Sequence, residues 1–262
     1  MDEKRYCPRL STLGTRMTPQ ALNPATSAPA PVPLHIDFVS DVACPWCAVG
    51  LWALERAVGQ LQGEVTVSIH PQPFELNPNM GAEGEDITEH LRRKYGSTPA
   101  QQAQIRETIR QRGAQEGFVF KVEGRGRIWN TFDAHRLLHW AAVEGAPGDA
   151  LALKKALLTS YQGRAENPSD PAVLLAVVKG LSAPALTVER ASDVLASGEF
   201  TEAVRQQQAH VQSLGIRSVP AVIVNHRHLI SGGQPADVFV QALRQIAAEV
   251  RQAPGAPAAE AN

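Results

Sequence analysis

The sequence is poor in cysteine, with three in 262 residues: Cys7, Cys44 and Cys47. So few exclude a fold stapled by disulfides. A closed zinc site is disfavoured as well, because it needs a second close ligand pair and no second Cys-x-x-Cys is present. Long apolar runs are also missing. None approaches the ~20 residues of a membrane span, so no membrane partner is expected. Nor is there an excess of one charge: the formal net charge is −1, which argues against bulk attraction to nucleic acid or anionic lipid. The opening Met-Asp-Glu-Lys-Arg has no apolar core after it and does not read as a secretory signal, so the expected location is cytoplasmic. Met1 and Met17 are both open as starts. Cys7 then reads as an unused tail thiol or as an artefact of the earlier start.

What is present supports one large domain, or one domain carrying an insertion: apolar residues make up 44%, close to the globular norm. The organising stretch is Ser40-Asp41-Val42-Ala43-Cys44-Pro45-Trp46-Cys47. Before it, Leu34 to Val39 reads as a strand. After it, Cys47, Leu51, Leu54 and Val58 recur on one side of a helix that Gly59 can end. Cys44 therefore falls at a helix cap, and Pro45 at the first helical position, where a missing N–H costs nothing. Cys47 lies one turn on, facing the same way, at a Cα separation of about 5–6 Å that a disulfide can span. Orphan N–H groups and the helix dipole stabilise a thiolate at the cap. Cys44 is thus the expected nucleophile, and Cys47 the residue that resolves a mixed disulfide.

In chain order, 1–33 reads as disordered, because Asn23-Pro24, Pro29, Pro31 and Pro33 leave no helical or strand period. Val65 to Ile69 alternates as a second strand, giving a right-handed β-α-β unit. From Asp86 to Leu214 the pattern is helical, with helices expected at 86–95, 100–116, 132–143 (Asn130 as cap), 149–161, 170–180, 187–197 and 199–214. Ala221 to Asn225 reads as a buried strand, with Arg227 to Ile230 as its hairpin partner and Pro235 to Val250 as an amphipathic helix. The expected division is 34–75 with 215–252 as one sheet domain, 76–214 as an inserted helical domain, and 253–262 as a flexible tail.

A second motif, Ser218-Val219-Pro220, stands at the entrance of the third strand. Proline is permitted there because its missing donor lies outside the ladder. An ordinary trans peptide would serve. With the dithiol motif upstream, a cis Val219–Pro220 bond facing the cysteines is the favoured reading, with Val219 offering its backbone to an extended substrate.

Asp41 with Cys44-Pro45-Trp46-Cys47, Asn130-Thr131-Phe132-Asp133-Ala134-His135-Arg136, Ser218-Val219-Pro220 and Ile230-Ser231-Gly232-Gly233-Gln234-Pro235 together resemble the DsbA-type branch of the thioredoxin superfamily, most closely its FrnE-like subgroup. The resemblance covers roughly residues 34–250. It implies an α/β thioredoxin fold with an inserted all-helical domain, a Cys44–Cys47 redox pair, Pro220 as a cis proline, and no bound metal, nucleotide or other cofactor. Thiol- or disulfide-containing proteins are the implied partners, with glutathione or a thioredoxin system as external reductant. Some FrnE-type proteins carry a further cysteine pair near the C-terminus; none follows Cys47 here, so internal regeneration of the site is not expected.

Other residues admit two readings each. Trp46 either tunes the couple or packs and contacts substrate. It brings no cation to favour the thiolate, so a less oxidising couple than that of a Cys-Pro-His-Cys protein is expected. Asp41 either orients the loop and assists proton transfer or closes a local turn. Asn130 and His135 either line the site or serve as cap and core. His135 and His139 have a metal-compatible spacing but no third ligand, and His226 and His228 read as solvated neighbours on one strand face. The leading function is a protein disulfide reductase or isomerase. The alternatives are a glutathione-dependent small-molecule isomerase or transferase, of the 2-hydroxychromene-2-carboxylate isomerase or kappa-class type, and a polypeptide-binding chaperone.

Overall fold

The computed structural model describes residues 30–252. The segments 1–29 and 253–262, and with them Cys7, Met17 and the expected tail, lie outside the described residues. The elements run β1 (Val32–Ser40), α1 (Pro45–Gln60), β2 (Val65–Pro73), β3 (Glu85–Asp86), α2 (Ile87–Tyr95), α3 (Pro99–Glu116), β4 (Arg127–Ile128), α4 (Phe132–Glu144), α5 (Asp149–Leu158), a π-helical turn (Thr159–Gly163), α6 (Pro171–Lys179), α7 (Val188–Ala196), α8 (Thr201–Ser213), β5 (Ala221–Val224), β6 (His228–Ser231) and α9 (Ala236–Gln252).

Four strands form one sheet in the order β2-β1-β5-β6. β1 and β2 are parallel, while β1–β5 and β5–β6 are antiparallel. This is the thioredoxin arrangement: a β-α-β unit, then a hairpin and a closing helix, with the helical segment inserted between the halves. β1 begins at Val32, so the expected disordered segment 1–33 was drawn two residues too long. Pro33 is tolerated inside the strand for a specific reason. Val32 N donates to Glu64 O on the β2 side, so Pro33 turns its missing donor to the other side, and β5 pairs only with Ile36 to Val39.

Alternation along β1 divides the sheet. Leu34, Ile36 and Phe38, with Val222 and Val224, bury one face against Ala53, Leu54 and Ala57 of α1 and Phe239, Leu243 and Ile246 of α9. Each such side chain contributes about 1.5–3 kcal/mol on full burial. The opposite face carries His35, Asp37 and Val39. At its Val39 end it is covered by Phe74, Val211 and Ile216.

Segment 76–214 contributes to both sides of this division. Ile109, Phe118, Phe120 and Leu158 join the sheet core, and α3 packs on the outer side of α1. That is why α1 is buried around most of its circumference rather than along the single side that Cys47, Leu51, Leu54 and Val58 suggest. A second core, with Leu137, Trp140, Leu153, Tyr161, Leu174 and Val194, holds α4, α5, α6 and α7 together and reaches Val42 and Ala43 beside the cysteines.

Candidate active site

β1 ends at Ser40, and α1 begins at Pro45 after four intervening residues. The turn between them is clipped by Asp41, which is fully buried. Its Oδ1 accepts from Ala43 N at 3.0 Å and from Thr131 Oγ1 at 2.8 Å, and its Oδ2 accepts from Leu76 N at 2.7 Å. His135 Nε2 stands 3.5 Å from Oδ1, and neither of its ring nitrogens has a formed hydrogen bond among the described residues. Burial works to raise the Asp41 pKa, but His135 and the donated N–H groups outweigh it and hold the carboxyl below its ordinary range. Two further side chains fasten the same turn from the helical segment. Arg125 Nη1 donates to Ala43 O at 2.6 Å, and Gln162 Nε2 donates to Val42 O at 2.7 Å.

Cys44 is the N-cap of α1 (φ −89°, ψ 115°), followed by Pro45 at the first helical position. Both cysteines are free thiols, with Cys47 completely buried and Cys44 4% exposed. Their acidities are driven apart. The hydrogen bond from the Cys47 thiol is the largest influence on Cys44 and lowers its pKa. Burial opposes it, and the N–H groups of Cys47 and Trp46 add to it. Cys47 is pushed well above the usual thiol value, chiefly by burial and then by the sulfur of Cys44. Cys44 is thus the more acidic sulfur of the pair, and Cys47 holds its proton more tightly.

The Val219–Pro220 peptide is cis. The Cys44 thiol donates to Val219 O at 3.6 Å. Glycines let this loop approach: a Cβ on Gly50 would lie 3.0 Å from Pro220 Cγ, and one on Gly233 would lie 3.0 Å from Trp46 O. Beside Cys44 opens a cavity of about 790 Å³. Trp46, Leu76, Tyr95, Ile105 and Phe120 give it apolar walls, and Lys94, Arg106, Arg110, Arg125 and Arg217 stand around it.

The structure thus brings together Cys44, Pro45, Trp46, Cys47, Val219 and Pro220, with Asp41 beneath them and His135 behind Asp41. Asn130 does not reach the sulfurs. Its Oδ1 accepts from Phe132 N at 2.8 Å, one residue inside the Thr131 N-cap, and its Nδ2 donates to Met80 O at 2.9 Å. Neither Asn130 nor His135 lines the cavity. His139 pairs with Gln207 at 3.1 Å and is no partner of His135. His226 and His228 do not share a strand face: His226 sits in the turn before β6, with φ 55°.

Sequence reasoning missed Lys154. It is fully buried, and its Nζ lies 3.4 Å from Ser40 O. Burial lowers its pKa, while Cys47, Asp41 and Cys44 act to keep it charged. A signal was available. Ala150, Leu153, Leu157 and Leu158 form the buried side of α5, and position 154 falls in that same period.

The family profile of the DSBA-like thioredoxin domain matches residues 35–244. The chain belongs to this family. Among solved structures, the probable DsbA oxidoreductase of Streptomyces coelicolor is 29% identical, with a TM-score of 0.74 over 87% of this chain and 95% of that one. The cytosolic disulfide reductase DsbM from Pseudomonas aeruginosa is 15% identical, TM-score 0.55, over 84% of this chain and 100% of that one. A 2-hydroxychromene-2-carboxylate isomerase is 14% identical, TM-score 0.58, over 82% and 97%. The last two share the fold with this chain and nothing further is carried over from them. No curated protein sequence matches. In this DSBA-like domain no helix among the described residues is long and apolar enough to cross a membrane.

Proposed function

We propose that the chain is a protein thiol–disulfide oxidoreductase working through Cys44 and Cys47. The carrying observation is the split acidity of two free thiols at one helix mouth, with the more acidic one against Val219 O. The likeness to the Streptomyces coelicolor protein, described as a probable DsbA oxidoreductase, supports this reading.

In the reducing direction the Cys44 thiolate attacks one sulfur of a substrate disulfide. The S–S bond breaks, the other sulfur leaves as a thiolate and takes up a proton, and Cys44 is held in a mixed disulfide. Cys47 then loses its proton and attacks the Cys44 sulfur. The second substrate sulfur leaves as a thiol, and a Cys44–Cys47 disulfide remains. Two electrons pass from the dithiol to the substrate, and an external thiol such as glutathione or a thioredoxin system restores the pair. Once Cys44 is bonded to substrate it no longer raises the pKa of Cys47, and Lys154 acts to lower that pKa and so favours the Cys47 thiolate. Val219 offers backbone groups to an extended segment and Trp46 an apolar wall, with Pro220 shaping the loop. Trp46 brings no cation between the cysteines, so reduction or isomerisation is favoured over bulk oxidation, and a reducing cytoplasmic setting suits it. The FrnE-like assignment belongs to this proposal. Replacing Cys44 by Ser is expected to abolish dithiothreitol-driven insulin reduction; retained turnover overturns the reading.

A second reading has its own observation: a cavity with apolar walls and six cationic side chains around it, Lys121 among them, suits an anionic thiol tripeptide and a small aromatic substrate. Cys47 separates the two. A glutathione-dependent isomerase keeps its rate in Cys47→Ser, whereas the disulfide reductase accumulates mixed disulfide and stops.

A further inference from the structure

At the other end of β1, on the sheet face away from α1 and α9, three imidazoles and one carboxylate converge. Asp37 is buried, at 8% exposure, and both of its oxygens are engaged. His35 Nε2 lies 3.3 Å from Oδ1 and His226 Nδ1 lies 3.0 Å from Oδ2. One ligand atom from each of His35, Asp37 and His226 falls within 4.8 Å of the others. We propose that His35, His226 and Asp37 form a binding site for one divalent transition-metal ion of the zinc class, with solvent completing the coordination.

The donor set fits such an ion. Two neutral imidazoles and a carboxylate are ligands for Zn²⁺ and its neighbours, not for the hard oxygen-seeking cations. A tetrahedral ion with bonds of about 2.0–2.1 Å holds its ligand atoms roughly 3.3 Å apart; the two imidazoles meet different oxygens of Asp37 at 3.3 and 3.0 Å, and the three ligand atoms lie within 4.8 Å of one another, so the exposed His226 ring closes in on the ion. Entry is open, since His226 is 72% and His35 36% exposed at the side chain.

The surrounding residues orient the ligands as metal sites require. Gln72 Nε2 donates to Asp37 Oδ1 at 2.7 Å, fixing the carboxylate. His70, paired with Asp37 across β1–β2, stacks on His35 with ring centres 4.3 Å apart and planes at 19°. Asn225 holds His35 by its backbone, accepting from His35 N at 2.9 Å and donating to His35 O at 2.8 Å. Asn225 and His226 have φ of 52° and 55°, and this turn aims the His226 ring at Asp37.

Charge balance points the same way. Among the described residues Asp37 forms ion pairs with histidines only. The His35 ring centre lies 4.3 Å from that of His70 and 4.5 Å from that of His226, so three rings gather at one carboxylate. A bound dication would give that carboxylate a counter-charge. The site would join β1 and β2 to the turn after β5, tying the chain before the helical segment to the chain after it.

The redox reading plays no part in this inference, and the test keeps them apart by using the full chain with Cys7→Ser, Cys44→Ser and Cys47→Ser, so that no thiol competes for metal. Chelator-washed protein is titrated with Zn²⁺ against a chromogenic chelator, and with Co²⁺ by visible absorption. The expected result is one Zn²⁺ per chain and a Co²⁺ spectrum of low coordination number. His35→Ala, Asp37→Asn and His226→Asn should each weaken binding by about tenfold or more. Asn tolerates the left-handed backbone at position 226, which keeps that variant folded. His228→Ala, whose ring faces Glu249 at 3.7 Å, should bind as the parent does. Binding well below one equivalent, or affinity unmoved by His226→Asn and His35→Ala, overturns the proposal.

Discussion

Two buried aspartates stand four residues apart, Asp37 within β1 and Asp41 just past its end, and their surroundings differ in kind. Asp41 accepts from two backbone N–H groups and a buried hydroxyl, with His135 alongside. Except for His135 these donors do not titrate, and the Asp41 carboxylate itself is fully buried. Asp37 meets two solvent-reaching imidazoles and a glutamine amide. The first arrangement fixes a backbone turn permanently and so presents Cys44 at a helix mouth. The second meets side chains that solvent reaches and that can turn away from it. The same residue type thus serves as a clip at one end of a strand and as an available ligand at the other, according to whether its partners are fixed or exchangeable.

Replacing both aspartates gives the largest expected contrast. Asp41→Ala strands the N–H groups of Ala43 and Leu76 and the Thr131 hydroxyl in a buried site, and should cost about 3–5 kcal/mol in urea unfolding. Asp37→Asn, with partners that water can solvate, should cost about 1 kcal/mol or less. Equal losses would erase the distinction.

Acid titration sharpens it. The folded Asp41 pKa lies below its unfolded value. Its contribution is therefore complete above the unfolded value of about 3.9 and is lost as pH falls through the folded one. Stability should decline less steeply below about pH 4 in Asp41→Asn than in the parent, measured as urea midpoint against pH. An unchanged slope contradicts the assigned state of Asp41.

Gly50→Ala breaks the active-site end by geometry alone, since the added methyl meets Pro220 Cγ at 3.0 Å and Gly233 Cα at 3.3 Å. A loss of about 1–3 kcal/mol is expected, with insulin reduction falling further than the unfolded fraction explains. The smallest expected change in stability is Lys154→Met. Exchanging a buried ammonium for an apolar chain of similar length should be neutral or stabilising. Its effect should appear instead as slower resolution of a trapped mixed disulfide, because Cys47 loses a cation that eases its deprotonation.

These contacts also explain which parts the sequence made legible. The strand–Cys-x-x-Cys–helix junction and the Val-Pro before β5 are local patterns, readable from period and turn chemistry. The contacts around Asp41 are not. Leu76 N is a backbone donor 35 residues away and Thr131 a hydroxyl 90 residues away, and neither leaves a trace in local composition. Tyr161 and Gln162 lie on the π-helical turn Thr159–Gly163, which a helical period extended through 161 passes over. Gln162 thereby reaches Val42 beside the cysteines. Lys154 was legible from its place in the apolar period of α5. The His35–Asp37–His226 group was not, because it forms only when a turn folds residue 226 onto β1, 190 residues before it in the case of Asn225 and His35.

The most direct test of the central claim is the pH dependence of alkylation of the reduced protein, read separately for Cys44 and Cys47 by peptide mass. Cys44 should react first, with a midpoint below the ordinary thiol value of about 8.5, while Cys47 stays protected throughout that range. Preferential labelling of Cys47, or a Cys44 midpoint at or above the ordinary value, would contradict it.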